Sequence, residues 1–175
     1  MTDVMTRPYM FVLPSGETAT VDADDRDLVE AEGPWCALRD SNTTYVRAHR
    51  RRPDGTRTTI SLHRLLLDPP DDMCIDHINR NGLDNRRGNL RVCTQSQNNA
   101  NSPPRPGYTS KYKGVSWYKR DAKWHAQSRD NSGKILLLGR FTYEDDAARA
   151  YDVHAIATWP GYAWLNVDNF EELSW

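Results

Sequence analysis

Cysteine is scarce in this chain. Only Cys36, Cys74 and Cys93 occur in 175 residues, and no two form a C-x-x-C pair. That spacing excludes the usual structural zinc cluster and fits three small buried thiols. No apolar run approaches the length of a membrane span, so no membrane partner is expected. The opening MTDVMTRPYMFVLPSG lacks the apolar core and small-residue cleavage site of a secretion signal, so a cytoplasmic location is expected. Net charge is only −1, without the cationic surplus of many nucleic-acid binders. Disorder is excluded from the other side: six tryptophans and eight tyrosines are too many aromatics for an unfolded chain.

The near-zero total hides strong segregation of charge. Residues 1–35 carry two basic and eight acidic side chains, whereas residues 36–67 carry seven basic and two acidic. Residues 68–110 balance at five and five. Residues 111–140 carry eight basic and two acidic, and residues 141–175 one basic and seven acidic. Two basic blocks suffice to bind phosphates whatever the sum, although a solvated basic face reads the same way.

Turn formers and prolines divide the chain. Residues 8–67 read as short strands: YMFVLP, TYVRAHR and TTISLHRLLL, broken by Pro-Ser-Gly and Pro-Asp-Gly. Asp24 to Glu32 suggests a short helix with an acidic first turn. The next part, about 72–101, reads as strand (CIDHI), polar loop, strand (LRVCT) and helix (QSQNNANS), with Thr94 and Gln97 spaced as a capping box. Residues 1–101 are expected to pack as one unit, since neither part is large enough for its own core. Residues 102–110 hold three prolines and a glycine and read as a linker. Residues 111–168 predict three strands (KGVSWYK, KWHAQSRD, KILLLGRF) and a helix from about Tyr143 to Thr158 capped by Thr142; residues 169–175 form a tail. Asp130-Asn131-Ser132-Gly133 reads as the hairpin turn between the last two strands, and Ala147, Ala150, Tyr151 and Ala155 as the buried helix face. The expected fold class is α+β.

The chemistry concentrates in Asp76-His77, Asn89 and Asn98. Hydrolysing a phosphodiester needs a base for water, which a neutral histidine supplies, and neutralisation of charge on the phosphate and leaving oxygen, which a divalent metal supplies. Asp76 and the Asn98 carbonyl are hard oxygen donors of the kind Mg²⁺ takes. His77 is the adjacent base, and Asn89 is placed to hold the intervening loop near it. Taken singly, each residue has an ordinary reading as surface or turn chemistry. The stretch IDHINRNGLDNRRGNLRVCTQSQNNAN, with SLHRLLLD before it, resembles the HNH (ββα-metal) endonuclease motif of the phage and homing type. The resemblance implies Asp76 and Asn98 as ligands of Mg²⁺ or Mn²⁺, His77 as general base, and Asn89 as the residue orienting loop and base. Asn98 stands where other branches carry histidine. His63, flanked by leucines, is read as structural or phosphate-contacting and stays outside the catalytic set.

Residues 111–140 interleave cations with aromatics, a pattern that suits a sheet entering the major groove. The candidate DNA contacts are Lys113, Trp117, Lys119, Arg120, Lys123 and Arg129, joined by Arg50, Arg51, Arg52, Arg86 and Arg87 near the nuclease motif. Trp124 is expected in the core beneath the helix. The pieces YKGVSW, KWHAQSRD, LLLGRF and EDDAARAYDVHAIATWPGYAWLNV resemble the plant ethylene-response-factor (AP-two) DNA-binding domain. That resemblance implies a three-stranded antiparallel sheet on one helix, with the sheet facing double-stranded DNA. Ile135 and Leu137 depart from it, standing where plant members often place Arg and Trp, so the site read must differ.

The reading is a site-specific, metal-dependent DNA endonuclease that nicks or cuts both strands. The alternative is a non-enzymatic DNA-binding regulator with a silent motif. An RNA-binding or structural protein is a distant third. Target sequence and oligomeric state are not legible.

Overall fold

The computed structural model describes residues 7–40, 43–130 and 132–167; the expected tail at 169–175 and Asn131 of the hairpin turn lie outside these. The fold is α+β, as expected, and divides into two compact units, Met1–Thr94 and Gln95–Trp175. Among the described residues no helix is long and apolar enough to cross a membrane.

The first unit opens with the antiparallel pair β1 (Tyr9–Val12) and β2 (Thr18–Val21). A 3-10 turn at Ala23–Asp25 leads into α1 (Arg26–Glu32). A three-stranded antiparallel sheet follows, ordered β3 (Trp35–Arg39), β4 (Thr44–Arg51), β5 (Arg57–Ser61). Here the structure corrects the sequence reading. TTIS is a strand, but LHRLLL turns into helix α2 (Leu62–Leu67). Leu62 and Leu66, one helical turn apart, are both buried in the main core, whereas Arg64, which a strand would set on that same face, is only half-buried and donates to the Met73 carbonyl. α2 stops where Asp68 adopts a left-handed conformation (φ 43°) and donates its N–H to the Arg64 carbonyl, just before Pro69 and Pro70. The core gathers Val21, Val29, Trp35, Val46, Leu62, Leu66, Ile75 and Leu90. Strands β2 and β3, which the sequence reading did not separate out, supply Val21 and Trp35.

The hairpin of β6 (Cys74–His77) and β7 (Leu90–Cys93) closes the first unit, pairing Asp76 with Arg91 and His77 with Leu90. After it comes α3 (Gln95–Ala100), which belongs to the second unit. The reason is visible at its C-terminus. Lys113 Nζ donates to the carbonyls of Asn99 (3.0 Å), Ala100 (2.7 Å) and Ser102 (2.7 Å), and Trp164 N–H donates to Ala100. These are the acceptors a helix end leaves unpaired. Ala100 also packs with Tyr151, Ala155 and Trp159.

The rest of the second unit is an antiparallel sheet ordered β10 (Ile135–Phe141), β9 (Lys123–Arg129), β8 (Val115–Tyr118), with α4 (Glu144–Thr158) against it. Val115, Ala126, Ala147 and Ala148 form the buried contact, flanked by Trp124, Leu138 and Phe141, so Trp124 takes the core role expected of it. α4 starts one residue later than expected. Tyr143 is its N-cap, without a side-chain capping bond. Thr142 instead accepts a hydrogen bond from Lys123 Nζ at 2.7 Å. Gly114 has φ +74°, and any Cβ there would meet the Tyr151 ring, so this turn requires glycine. The chain's last described stretch is fixed by Asp152, fully buried, whose carboxylate accepts from the N–H groups of Asn166 (2.9 Å) and Val167 (3.0 Å).

Candidate nuclease site

Strand β6 ends at His77, and the asparagine-rich loop that follows is a scaffold rather than a simple polar turn. Asn89 Oδ1 accepts from the Asn79 N–H at 3.0 Å, while Asn89 Nδ2 donates to Asn79 Oδ1 (3.0 Å) and to the Asp84 carbonyl (2.7 Å). Asn79 Nδ2 donates to Asp84 Oδ2 at 2.9 Å. One buried asparagine thereby ties both ends of the loop beside His77. The loop is also pinned from outside. Thr20 on β2 exchanges backbone hydrogen bonds with Leu83 and Asn85. Gly82 lies so close to β4 that a Cβ would come within 2.5 Å of the Thr44 carbonyl, which excludes any other residue without a shift.

His77 is 4 % exposed. Its Nε2 lies 3.3 Å from Asn85 Oδ1, and Asn85 Nδ2 donates to the Gly82 carbonyl at 3.2 Å. The second bond orients the amide so that oxygen faces the imidazole. An amide oxygen only accepts, so the contact assigns the hydrogen to Nε2. Burial pulls the His77 imidazole below its ordinary value. The Asn85 bond and the charges of Asp76 and Asp84 pull the other way. The net result favours the neutral ring, the form a base requires.

Two aromatic neighbours wall the ring in. His63, on α2, meets His77 edge to face with centroids 5.3 Å apart, and Tyr45, on β4, lies 5.7 Å from each. His63 Nδ1 is enclosed and, among the described residues, has no hydrogen-bond partner. Burial first, then the neighbouring His77 and Arg64, push its imidazole down to about 4. Tyr45, Asn85 and His63 were not in the sequence-derived site. The only signal for His63 was its place in SLHRLLL just before the motif; once that segment is helical, it turns toward β6.

Asp76 is buried and forms a cross-strand ion pair. Arg91 donates through Nε (2.8 Å) and Nη2 (2.6 Å) to Oδ2. A buried carboxylate needs such a partner. Asn98, the other expected ligand, lies partly exposed on α3 in the second unit. Among the described residues no group of three or more His, Cys, Asp or Glu side chains gathers in a metal-binding cluster. Taken singly, the Asp76 carboxylate and the Asn98 amide carbonyl are each oxygen donors of the kind a hard divalent cation takes.

Several expected DNA contacts have other employment. Arg86 forks onto Asp84 (2.7 and 2.8 Å) and holds its carboxyl below the usual range. Arg87 pairs with Asp25 at 2.7 Å, and Arg50 pairs with Glu32. Arg51 and Arg52 are exposed. Lys113 is committed to three carbonyls, and burial, with Arg105 nearby, pulls its ammonium down to about 8. Trp117 stands opposite Trp124 and touches it edge to face at 5.1 Å, so it shares the helix-side face instead of the open one. Lys119 and Arg120 are exposed at the end of β8, Lys123 lies on β9, and Arg129 donates to the Gly133 carbonyl at 2.6 Å.

Residues 68–100 match the family model of the HNH endonucleases. The match runs from the end of α2 through β6, the asparagine-rich loop and β7 to the end of α3. It covers Asp76, His77, Asn89 and Asn98, and it identifies the segment as an HNH-type nuclease motif. It stops short of the second unit's sheet and α4. A comparison with curated proteins finds no match.

Proposed function

We propose that this protein is a site-specific, divalent-metal-dependent DNA endonuclease of the phage or homing type. The first unit carries Asp76, His77 and Asn89, and the second unit's sheet selects the site, as an ethylene-response-factor-like domain does. The observation that carries the reading is His77: neutral through burial, oriented by Asn85, and seated at the end of β6 beside a loop closed by Asn89, all inside the matched segment. His77 takes the proton from the attacking water. A base this deep acts on a water held at the ring, not on bulk solvent. Asn89 keeps the loop, and with it the imidazole, in register with the phosphate. Asp76 is the metal ligand in the first unit; Asn98 is retained from the motif resemblance. A bound divalent cation would neutralise charge on the phosphate and leaving oxygen. The products are a 5′-phosphate and a 3′-hydroxyl.

Supercoiled plasmid carrying DNA from the gene's own neighbourhood tests this. Conversion to open circles or linear DNA with Mg²⁺, blocked by EDTA, is the expected result. One observation favours a second reading, a DNA-binding regulator with a silent motif: Asp76 already carries an ion pair with Arg91. Tight, salt-sensitive binding without cleavage under Mg²⁺ or Mn²⁺ selects it.

A further inference from the structure

The open face of the second unit's sheet has an unusual composition. Val115, Trp124, Ala126, Leu138 and Phe141 lie on the α4 side. Alternation then turns Gln127, Arg129, Ile135 and Leu137 away from it. Register sets them in two cross-strand pairs, Gln127 opposite Leu137 and Arg129 opposite Ile135. All four are exposed, Ile135 at 58 % and Leu137 at 49 %. A bulge between Leu137 and Gly139 shifts the register by one, sends Leu138 into the core, and brings Arg140 to the open face opposite His125. Arg140 pairs there with Asp121 at 2.9 Å, His125 stacks on Tyr118, and Lys119, Lys123 and Arg129 surround the face.

Two branched aliphatics exposed on edge strand β10 do nothing for the core and invite aggregation. In a field of cations, the occupant that suits them is polyanionic yet carries apolar groups. The DNA major groove is such a surface. Its one apolar feature is the thymine C5-methyl, and glutamine reads adenine N6 and N7 bidentately in the same groove. Resting on the reading of this sheet as the DNA face, we infer that Leu137 and Ile135 are specificity-determining residues that contact thymine methyls while Gln127 pairs with adenine, so that the sheet selects A·T steps in duplex DNA. Duplex RNA is excluded by the same chemistry, since uracil lacks the methyl and the A-form major groove is too narrow to enter.

The test uses the full chain in EDTA, which prevents cleavage, with short duplexes as probes. An alternating A·T duplex offers a thymine methyl at every step, so no target sequence need be known. Replacing thymidine by deoxyuridine is expected to weaken binding about tenfold, the loss appropriate to two methyl contacts. A G·C duplex bearing 5-methylcytosine is expected to bind more tightly than its unmethylated form. Leu137→Ser and Ile135→Ser, at exposed positions, should keep the melting temperature and erase the thymine–uracil difference. Equal binding of both A·T duplexes overturns the inference and leaves the DNA-face reading standing. A difference that persists in the variants also overturns it, because it then arises from duplex shape. So does a change of oligomeric state in the variants with DNA binding untouched, which would make the patch a self-association surface. No binding to any duplex at low salt overturns the DNA-face reading and the inference together.

Discussion

The imidazoles of His63 and His77 meet edge to face, 5.3 Å apart with planes at 89°. His63 comes from α2, outside β6 and its loop, and packs its ring against the proposed base. The expected consequence is positional. His63→Ala should lower the single-turnover cleavage rate at saturating DNA by about a hundredfold, the order expected when a base loses its alignment, with DNA affinity unchanged. His63→Phe, which keeps a ring in place, should recover most of the rate. An equal loss in both variants would make the imidazole itself necessary and remove the buttressing account.

The same residue makes stability depend on pH. His63 is held near 4 in the fold, against 6.5 in the unfolded chain. Below pH 6.5 the unfolded chain gains a proton that the fold refuses until about pH 4. Stability should therefore be intact above 6.5 and decline through that window, by about 3 kcal/mol in total. Carboxylates held low in the fold also weaken it in acid. The measurement is thus a comparison: urea midpoints of wild type and His63→Phe between pH 7 and 4, with the variant showing the shallower decline. Parallel curves would contradict it.

Lys113 offers a contrast between structure and binding. Lys113→Met strips the partner from three carbonyls at the end of α3 and should cost about 2–3 kcal/mol. The melting temperature falls, while the salt dependence of DNA binding in the surviving folded protein is unchanged. Lys119→Ala should do the reverse, leaving stability alone and reducing the salt slope by about one. A lowered slope in Lys113→Met would restore that lysine to the DNA face.

Much of this was legible in the sequence. The α+β class and the sheet-and-helix unit followed from periodicity and turn residues. Asp76, His77 and Asn89 were singled out from residue chemistry and the motif, and all three lie in the matched segment. What sequence could not show was long-range partnership. Nothing local links Arg87 to Asp25, Arg50 to Glu32 or Lys113 to the end of α3, so these cations read as available when they are spoken for. LHRLLL was misread because its leucines suit strand and helix alike over so short a run. What decides it is Arg64, which a strand would bury beside Leu62 and Leu66 and which the helix turns to the Met73 carbonyl, and with the helix comes the position of His63. Trp117 was taken as a contact for its aromatic character; register with Trp124 fixes its face.

The central claim is that His77 performs the hydrolysis, and His77→Ala tests it most directly. Wild type and variant are compared for plasmid cleavage with Mg²⁺ and, in EDTA, for binding to the same DNA. The account predicts cleavage at least about a hundredfold slower in the variant, with affinity retained. A His77→Ala protein that cuts at the wild-type rate would contradict it outright.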